Sequence, residues 1–100
     1  MSIMKLIANI PLEQILFLQA DTNYTQIFLS CGRILLSGFN LKKYEEFFEQ
    51  ASFLRANRRY LINRNHIEHY DSANFTLHLK NGRVIEVSRR RREMIQSMVA

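Results

Sequence analysis

The chain has 100 residues, near the commonest size of a single domain, and 47% of them are hydrophobic, enough for a modest core. Its formal net charge is +5. A single cysteine, Cys31, excludes an internal disulfide, and no apolar run approaches the ~20 residues of a membrane span. Since the N-terminus also lacks the pattern of a signal peptide, we expect a cytoplasmic domain without membrane contact.

The N-terminal part is predicted to form β-hairpins. Residues 15–20 (ILFLQA) are apolar with little alternation, which is typical of a buried strand. The Asp, Thr and Asn at 21–23 favour a turn. Residues 24–30 then alternate in polarity, and a Cys-Gly pair marks a second hairpin turn before a returning strand at 33–37.

A helix is predicted over residues 41–50. Asn40 is a favourable N-cap, and large apolar residues recur at helical spacing on one face, at Leu41, Tyr44, Phe47 and Phe48. The rest of the helix surface carries two lysines and three glutamates. We therefore expect this helix to pack against the core rather than to bind nucleic acid.

Residues 53–63 (FLRANRRYLIN) combine two kinds of side chain. Large apolar residues at both ends have to be buried, whereas the three arginines between them cannot be. Asn57 is a favourable N-cap, which predicts a short helix over 58–62. Free N–H groups at such a helix start, flanked by arginines, favour an anion, and our first hypothesis is a nucleic-acid phosphate.

The C-terminal part is predicted to contain strands at 67–70, 75–80 and 83–87, with Phe75 pointing inward. An Asn-Gly pair at 81–82 is a strong hairpin signal, suited to a type I′ turn. A short apolar stripe near the C-terminus predicts a last helix. The fold is therefore expected to be mainly β, with one central and one short C-terminal helix.

The basic residues concentrate in the second half. Residues 1–50 carry four basic and five acidic side chains, whereas residues 51–100 carry ten basic and four acidic. Four consecutive arginines, 89–92, follow Ser88, the predicted N-cap of the last helix. The helix dipole disfavours cations there and the arginines repel one another, so a neutralising polyanion is the favoured partner. A solvated charged surface is the alternative.

Catalysis is not predicted. His66, His69 and His78 do not form a metal-binding spacing with Cys31 or a carboxylate. The three glycines are isolated, so none forms a phosphate-binding loop, and no serine or cysteine has the surroundings of a nucleophile. We therefore expect no enzyme activity, no metal and no cofactor.

The turn after the first strand is a third candidate contact. Asn23 and Tyr24 would lie at a hairpin tip, where an amide and a phenol can reach a base edge and a phosphate. An ordinary turn with an exposed aromatic residue is the alternative.

Three blocks, taken in order, resemble the LytTR DNA-binding domain of bacterial response regulators. They read IPLEQILFLQADTNYT, FLRANRRYLIN and LKNGRVIEVSRRRR, and the resemblance extends over residues 10–98. It implies an elongated fold of small antiparallel sheets and a role in the regulation of transcription. It also implies that loops enter successive major grooves of double-stranded DNA and bend the duplex, and that pairs of domains bind repeated half-sites, as a homodimer on DNA.

Carried over position by position, the resemblance implies three groups of DNA-contacting residues. They are Asn23 and Tyr24; Asn57, Arg58 and Arg59; and Ser88, Arg89, Arg90 and Arg91. Arg58 and Arg90 are expected at base edges, and the other arginines, with Arg55, at phosphates. The family usually has His and Ser where this chain has Asn57 and Arg59, so an altered base preference is expected.

Two further expectations concern the setting of the domain. No receiver domain or membrane segment precedes the match, and the Met-Ser start fits a natural N-terminus, so a stand-alone regulator is expected. The rival function is a protein-interaction module whose arginines bind an acidic protein or anionic lipid. RNA is less favoured, because Phe28, Tyr70 and Phe75 lie at positions that suit burial rather than base stacking.

Overall fold

The computed structural model describes residues 7, 9–48 and 51–99. In this part of the chain eight strands form two antiparallel sheets: β1 (Ile15–Asp21), β2 (Tyr24–Leu29), β3 (Ile34–Ser37), β4 (Phe53–Arg55), β5 (Tyr60–Asn63), β6 (Ile67–Asp71), β7 (Thr76–Leu79) and β8 (Val84–Glu86). The large sheet has the spatial order β3-β2-β1-β5-β4, and the small sheet has the order β6-β7-β8. The described residues also include helices α1 (Leu41–Phe47) and α2 (Arg92–Val99). The predicted mainly β fold is confirmed.

The large sheet is buried on both faces, which explains why β1 reads as an apolar run with little alternation. One face, with Ile15, Leu18 and Ile27, packs against α1. The other face, with Phe17 and Ile62, packs against the small sheet and α2. The molecule therefore has three layers, with the large sheet in the middle.

Helix α1 begins where the sequence predicts. The Asn40 side chain accepts a hydrogen bond from the Lys43 N–H (2.9 Å). Tyr44 is fully buried, and its hydroxyl donates to Ser37 Oγ (2.6 Å). Residues 49 and 50 of the predicted helix lie outside the described residues. Neither helix in the described ranges is long and apolar enough to cross a bilayer.

The turn between β7 and β8 differs from the predicted type I′ turn. That type requires positive φ at both central residues, but Gly82 has one (91°) and Asn81 does not. The loop instead has three residues, with backbone hydrogen bonds from Gly82 to Leu79 and between Leu79 and Arg83. The Asn81 side chain accepts from the Arg83 N–H (3.0 Å), which stabilises this longer loop.

Phe75 lies in the turn between β6 and β7, so the prediction that it points inward from a strand is wrong. Its φ is positive (56°), β7 starts at Thr76, and the residue is 37% exposed. The turn extends this far because the Asp71 carboxylate accepts hydrogen bonds from the N–H groups of Ala73 and Asn74 (3.0 and 3.2 Å).

Candidate nucleic-acid interface

Three loops lie side by side at one end of the large sheet. We call them the first tip (residues 21–24), the second tip (residues 56–59) and the third tip (residues 86–91). The first tip joins β1 to β2, and the second joins β4 to β5. Because β1 and β5 are antiparallel neighbours, with Gln19 opposite Tyr60, these two tips emerge at the same end of the sheet.

Backbone hydrogen bonds fix the order of the tips. The Ala20 N–H, just before the first tip, donates to the Arg59 carbonyl (2.8 Å). The Ser88 N–H, in the third tip, donates to the Ala56 carbonyl (3.0 Å). The second tip therefore lies between the other two, and the three predicted groups of site residues belong to one row.

The second tip is a hairpin loop, and the predicted helix over 58–62 is wrong. Strand β5 pairs with β4 on one side and with β1 on the other. The Asn57 amide oxygen accepts hydrogen bonds from the N–H groups of Arg59 (2.8 Å) and Tyr60 (3.1 Å), as an N-cap would. Two strand partners and the burial of apolar side chains outweigh this local helical signal.

Asn57 also links the second tip to the third. Its amide nitrogen donates to the Glu86 carbonyl oxygen (2.6 Å). Since the amide oxygen already accepts from the second tip's own backbone, both ends of this side chain make bonds within the protein. Asn57 therefore holds two tips at a fixed separation.

Arg55 anchors the second tip from inside. Its guanidinium donates to Glu45 Oε1 (2.9 Å), to the Asn57 carbonyl (2.8 Å) and to the Arg58 carbonyl (2.8 Å). The side chain is 13% exposed. Arg55 is expected at a phosphate, yet three of its N–H groups donate hydrogen bonds within the protein.

The third tip leads into α2 through one 3₁₀ turn, Arg89–Arg91. Ser88 precedes it as predicted, but its hydroxyl makes no capping hydrogen bond. Arg91 lies 3.7 Å from a Glu45 carboxylate oxygen and 3.5 Å from the Arg55 carbonyl. Burial lowers the pKa of the Arg91 guanidinium, and Glu45 opposes this effect. Arg91 is therefore packed against the scaffold.

Four other arginines of the second and third tips are exposed. Within the described residues no hydrogen bond or ion pair involves the guanidinium groups of Arg58, Arg59, Arg89 and Arg90. At the first tip Asn23 and Tyr24 are exposed, Tyr24 to 57%. The uncompensated positive charge of the second and third tips attracts a polyanion.

A groove of about 710 Å³ separates the second tip from β8 and the third tip. The two second-tip arginines line it, together with Glu86 and Arg92. Arg92 is fixed there by a hydrogen bond to the Val87 carbonyl (3.3 Å), and its guanidinium carbon lies 3.8 Å from the centre of the Phe75 ring. The groove is thus cationic at its rims and carries one acidic residue.

Arg83 is a cation beside this groove that no sequence pattern singled out. Its guanidinium carbon lies 4.8 Å from the ring centre of Phe17, 5.4 Å from that of Phe28 and 5.9 Å from that of Tyr60. The rings belong to the large sheet and Arg83 precedes a strand of the small sheet. The contact exists only once the sheets pack, so local sequence carries no signal for it.

The histidines make structural contacts. His66 Nε2 lies 2.7 Å from the Glu13 carbonyl oxygen, and the rings of His69 and His78 stack with centres 4.4 Å apart. In the ranges that the structure covers, no three His, Cys, Asp or Glu side chains are grouped to hold a metal ion.

The fold and the exposed arginines of the tips define a class of protein, the basic and mainly β domains with a cationic face. A solved structure of a LytTr DNA-binding domain from Bacillus cereus has a similar fold, with a TM-score of 0.76 over 89% of this chain and 84% of that chain, at 23% identity. The LytTr DNA-binding domain family matches residues 5–100, and the chain belongs to this family. The resemblance inferred from the three sequence blocks is confirmed. No curated protein matches the sequence.

Proposed function

We propose that this protein binds double-stranded DNA sequence-specifically and regulates transcription in the bacterial cytoplasm. The observation that carries the proposal is the row of tips, in which four arginines without partners among the described residues lie on two neighbouring tips at one end of the large sheet. Guanidinium groups pair well with phosphate oxygens and with guanine edges, so such a row suits a duplex. Membership of a DNA-binding family supports the same function.

The outer tips would enter successive major grooves on one face of the duplex. Successive major grooves on one face of B-DNA are one turn, about 34–36 Å, apart. Simultaneous contact favours a duplex bent toward the protein, and the deformability of uncontacted base steps would then add to specificity.

The base-reading residues would be the exposed ones nearest the ends of the tips. Arg58 and Arg90 would reach base edges, each contributing about 1–3 kcal/mol of discrimination if its contact is bidentate. Asn23 or Tyr24 would supply the third base contact. Because Asn57 is held between two tips, it would act by placing Arg58 rather than by reading a base.

Phosphate contacts would fix the register without carrying sequence information. Arg59 and Arg89 are exposed for this role, and Ser88 can add its hydroxyl. Arg55 and Arg91 share Glu45, so we assign to them the positioning of the tips, with their remaining N–H groups available to phosphate. With about six phosphates neutralised, the logarithm of the binding constant should fall with the logarithm of salt concentration with a slope of about −5.

Two copies are proposed to bind repeated half-sites. One copy would read bases within about one turn of DNA. A second copy bound a whole number of turns away would lie on the same face of the duplex. The mass of the complex on one and on two half-sites distinguishes the two stoichiometries.

Selection of preferred duplexes from a random library tests the proposal, followed by anisotropy titrations on a selected and a scrambled duplex. We expect tight binding to the selected duplex, and weaker binding to the scrambled one that disappears as salt rises. Absence of binding to either duplex at micromolar protein and low salt would overturn the proposal and favour the rival function, recognition of an acidic protein.

A further inference from the structure

Arg83 occupies an unusual position for an exposed cation. It ends the three-residue loop between β7 and β8, and its side chain reaches across to the large sheet. There it lies over an aromatic cluster in which Phe17 and Phe28 stack with ring centres 4.4 Å apart and Tyr60 lies 5.8 Å from Phe17. Three rings therefore hold one guanidinium group.

The stacked guanidinium keeps its hydrogen-bonding capacity. A ring face attracts the cation without accepting its N–H groups, which point outward in the plane of the fork. Among the residues that the structure describes, the Arg83 side chain makes no hydrogen bond or ion pair. An arginine that is already ordered loses less conformational entropy when it binds a ligand.

The location of Arg83 relates it to the second tip. Tyr60, one of the three rings, directly follows Arg59 and lines the groove, as does Val84, the neighbour of Arg83. Arg83 thus stands at one end of the groove, and the exposed second-tip arginines stand at its rim. Glu86, which also lines the groove, disfavours an anion beside its own carboxylate, whereas among the described residues no acidic side chain pairs with Arg83. The Arg83 end of the groove therefore suits a phosphate.

We propose that Arg83 is a phosphate-binding residue of the DNA interface, which holds the DNA backbone beside the second tip. This inference rests on the proposed function. It adds a contact from the small sheet to the three tips of the large-sheet end. The ligand is a backbone phosphate rather than a base, because the guanidinium group of Arg83 is stacked on the face of the large sheet and does not project from the end of a loop.

The chain contains a matched control residue. Arg33 ends the equivalent loop between β2 and β3, closed by the same pair of hydrogen bonds, with φ of 94° at Gly32 against 91° at Gly82. Strand β2 runs from the first tip to this loop, so Arg33 lies at the end of the large sheet away from the tips. It is close to the aromatic cluster, since its neighbour Ile34 pairs with Phe28, but among the described residues its guanidinium group is not stacked on a ring. Removing Arg33 changes the net charge equally but should leave DNA binding almost unchanged, because no ring orders its side chain.

The test compares Arg83→Gln with Arg33→Gln in anisotropy titrations across a range of salt, on selected and scrambled duplexes. One phosphate contact contributes about 0.9 to the salt slope, so its contribution to the binding constant is about eightfold larger at 0.1 M salt than at 1 M. We expect Arg83→Gln to lose this amount on both duplexes alike, Arg33→Gln to match the wild type, and Arg83→Lys to retain most of the slope because it keeps the charge.

A structural role alone would give a different result. If Arg83 only joins the two sheets, Arg83→Gln lowers the melting temperature but keeps the wild-type salt slope, and the inference is overturned. Arg83→Met keeps the alkyl stem on the rings, so it provides a folded variant without the charge should Arg83→Gln unfold. Failure of the wild type to bind DNA would refute the proposed function itself, whereas failure of this inference appears only in the Arg83 variants.

Discussion

Replacing Arg55 by alanine tests whether the second tip is positioned from inside the protein. The change removes hydrogen bonds to Glu45 and to the carbonyls of Asn57 and Arg58. Each carbonyl bond contributes about 1 kcal/mol, and the partly exposed pair with Glu45 about 0.5 kcal/mol. We therefore expect the free energy of unfolding to fall by about 2–3 kcal/mol, and the melting temperature by about 10–20 °C.

The same change should weaken DNA binding indirectly. Arg58 and Arg59 would lose their fixed backbone, and reordering each long side chain on binding costs about 0.5–1.5 kcal/mol. At a temperature where the variant is folded, we expect affinity to fall about tenfold. The salt slope should change by less than one phosphate contact, because the removed guanidinium mainly serves the protein.

Circular dichroism melting curves and anisotropy titrations across a range of salt provide both measurements. Glu45→Gln is the control, since it removes the ion pairs with Arg55 and Arg91 and keeps the Arg55 bonds to the two carbonyls, and it should cost about 1 kcal/mol or less. An unchanged melting temperature for Arg55→Ala, together with a salt slope shallower by about 0.9, would show that Arg55 is a direct phosphate ligand and does not position the second tip.

Other changes separate base reading, phosphate binding and scaffold. Arg58→Ala should flatten the preference among duplexes, and equal losses on selected and scrambled duplexes would remove Arg58 from the base-reading set. Arg89→Ala should weaken binding to all duplexes alike and make the salt slope shallower by about 0.9; a loss confined to the selected duplex would contradict this role. Asn63 is 2% exposed and donates hydrogen bonds to two backbone carbonyls (3.1 and 2.9 Å). Asn63→Ala should lower the free energy of unfolding in urea by about 2–3 kcal/mol, and an unchanged midpoint would contradict this. Tyr44→Phe should cost about 1 kcal/mol. Burial raises the pKa of the Tyr44 hydroxyl. The stability that this hydroxyl contributes below about pH 10 is therefore lost as pH rises through the raised pKa. Tyr44→Phe should not show this part of the loss of stability at alkaline pH.

Apolar patterning predicted six of the eight described strands, β1–β3 and β6–β8, to within one residue at each end. The alternation in β2 places Thr25, Ile27 and Leu29 on the buried face, as observed. The cap at Asn40 and the helical stripe behind it predicted α1. These features depend on residues close in sequence, and no competing interaction overrides them.

Two errors have local causes, because the side chains of Asp71 and Asn81 shape the turns that contain Phe75 and Gly82. The error at Asn57 has a distant cause. Asn57 makes the hydrogen bonds of a helix cap, yet the next residues pair with β4 and β1 and form a strand. The division of the arginines also depends on distant residues. Arg55 and Arg91 are engaged because Glu45, on α1, packs beside them, and Arg83 stacks on rings that the sheet packing brings to it. The sequence therefore identifies the basic residues, but it does not show which of them make contacts within the protein and which are exposed.

Hydroxyl-radical footprinting on a selected duplex tests most directly whether the tips contact one face of DNA. We expect protection on one face only, in stretches about 10 base pairs apart, with Asn23→Ala and Arg90→Ala each losing protection in a different outer stretch. Protection around the whole duplex, or loss of the same stretch in both variants, would contradict this expectation.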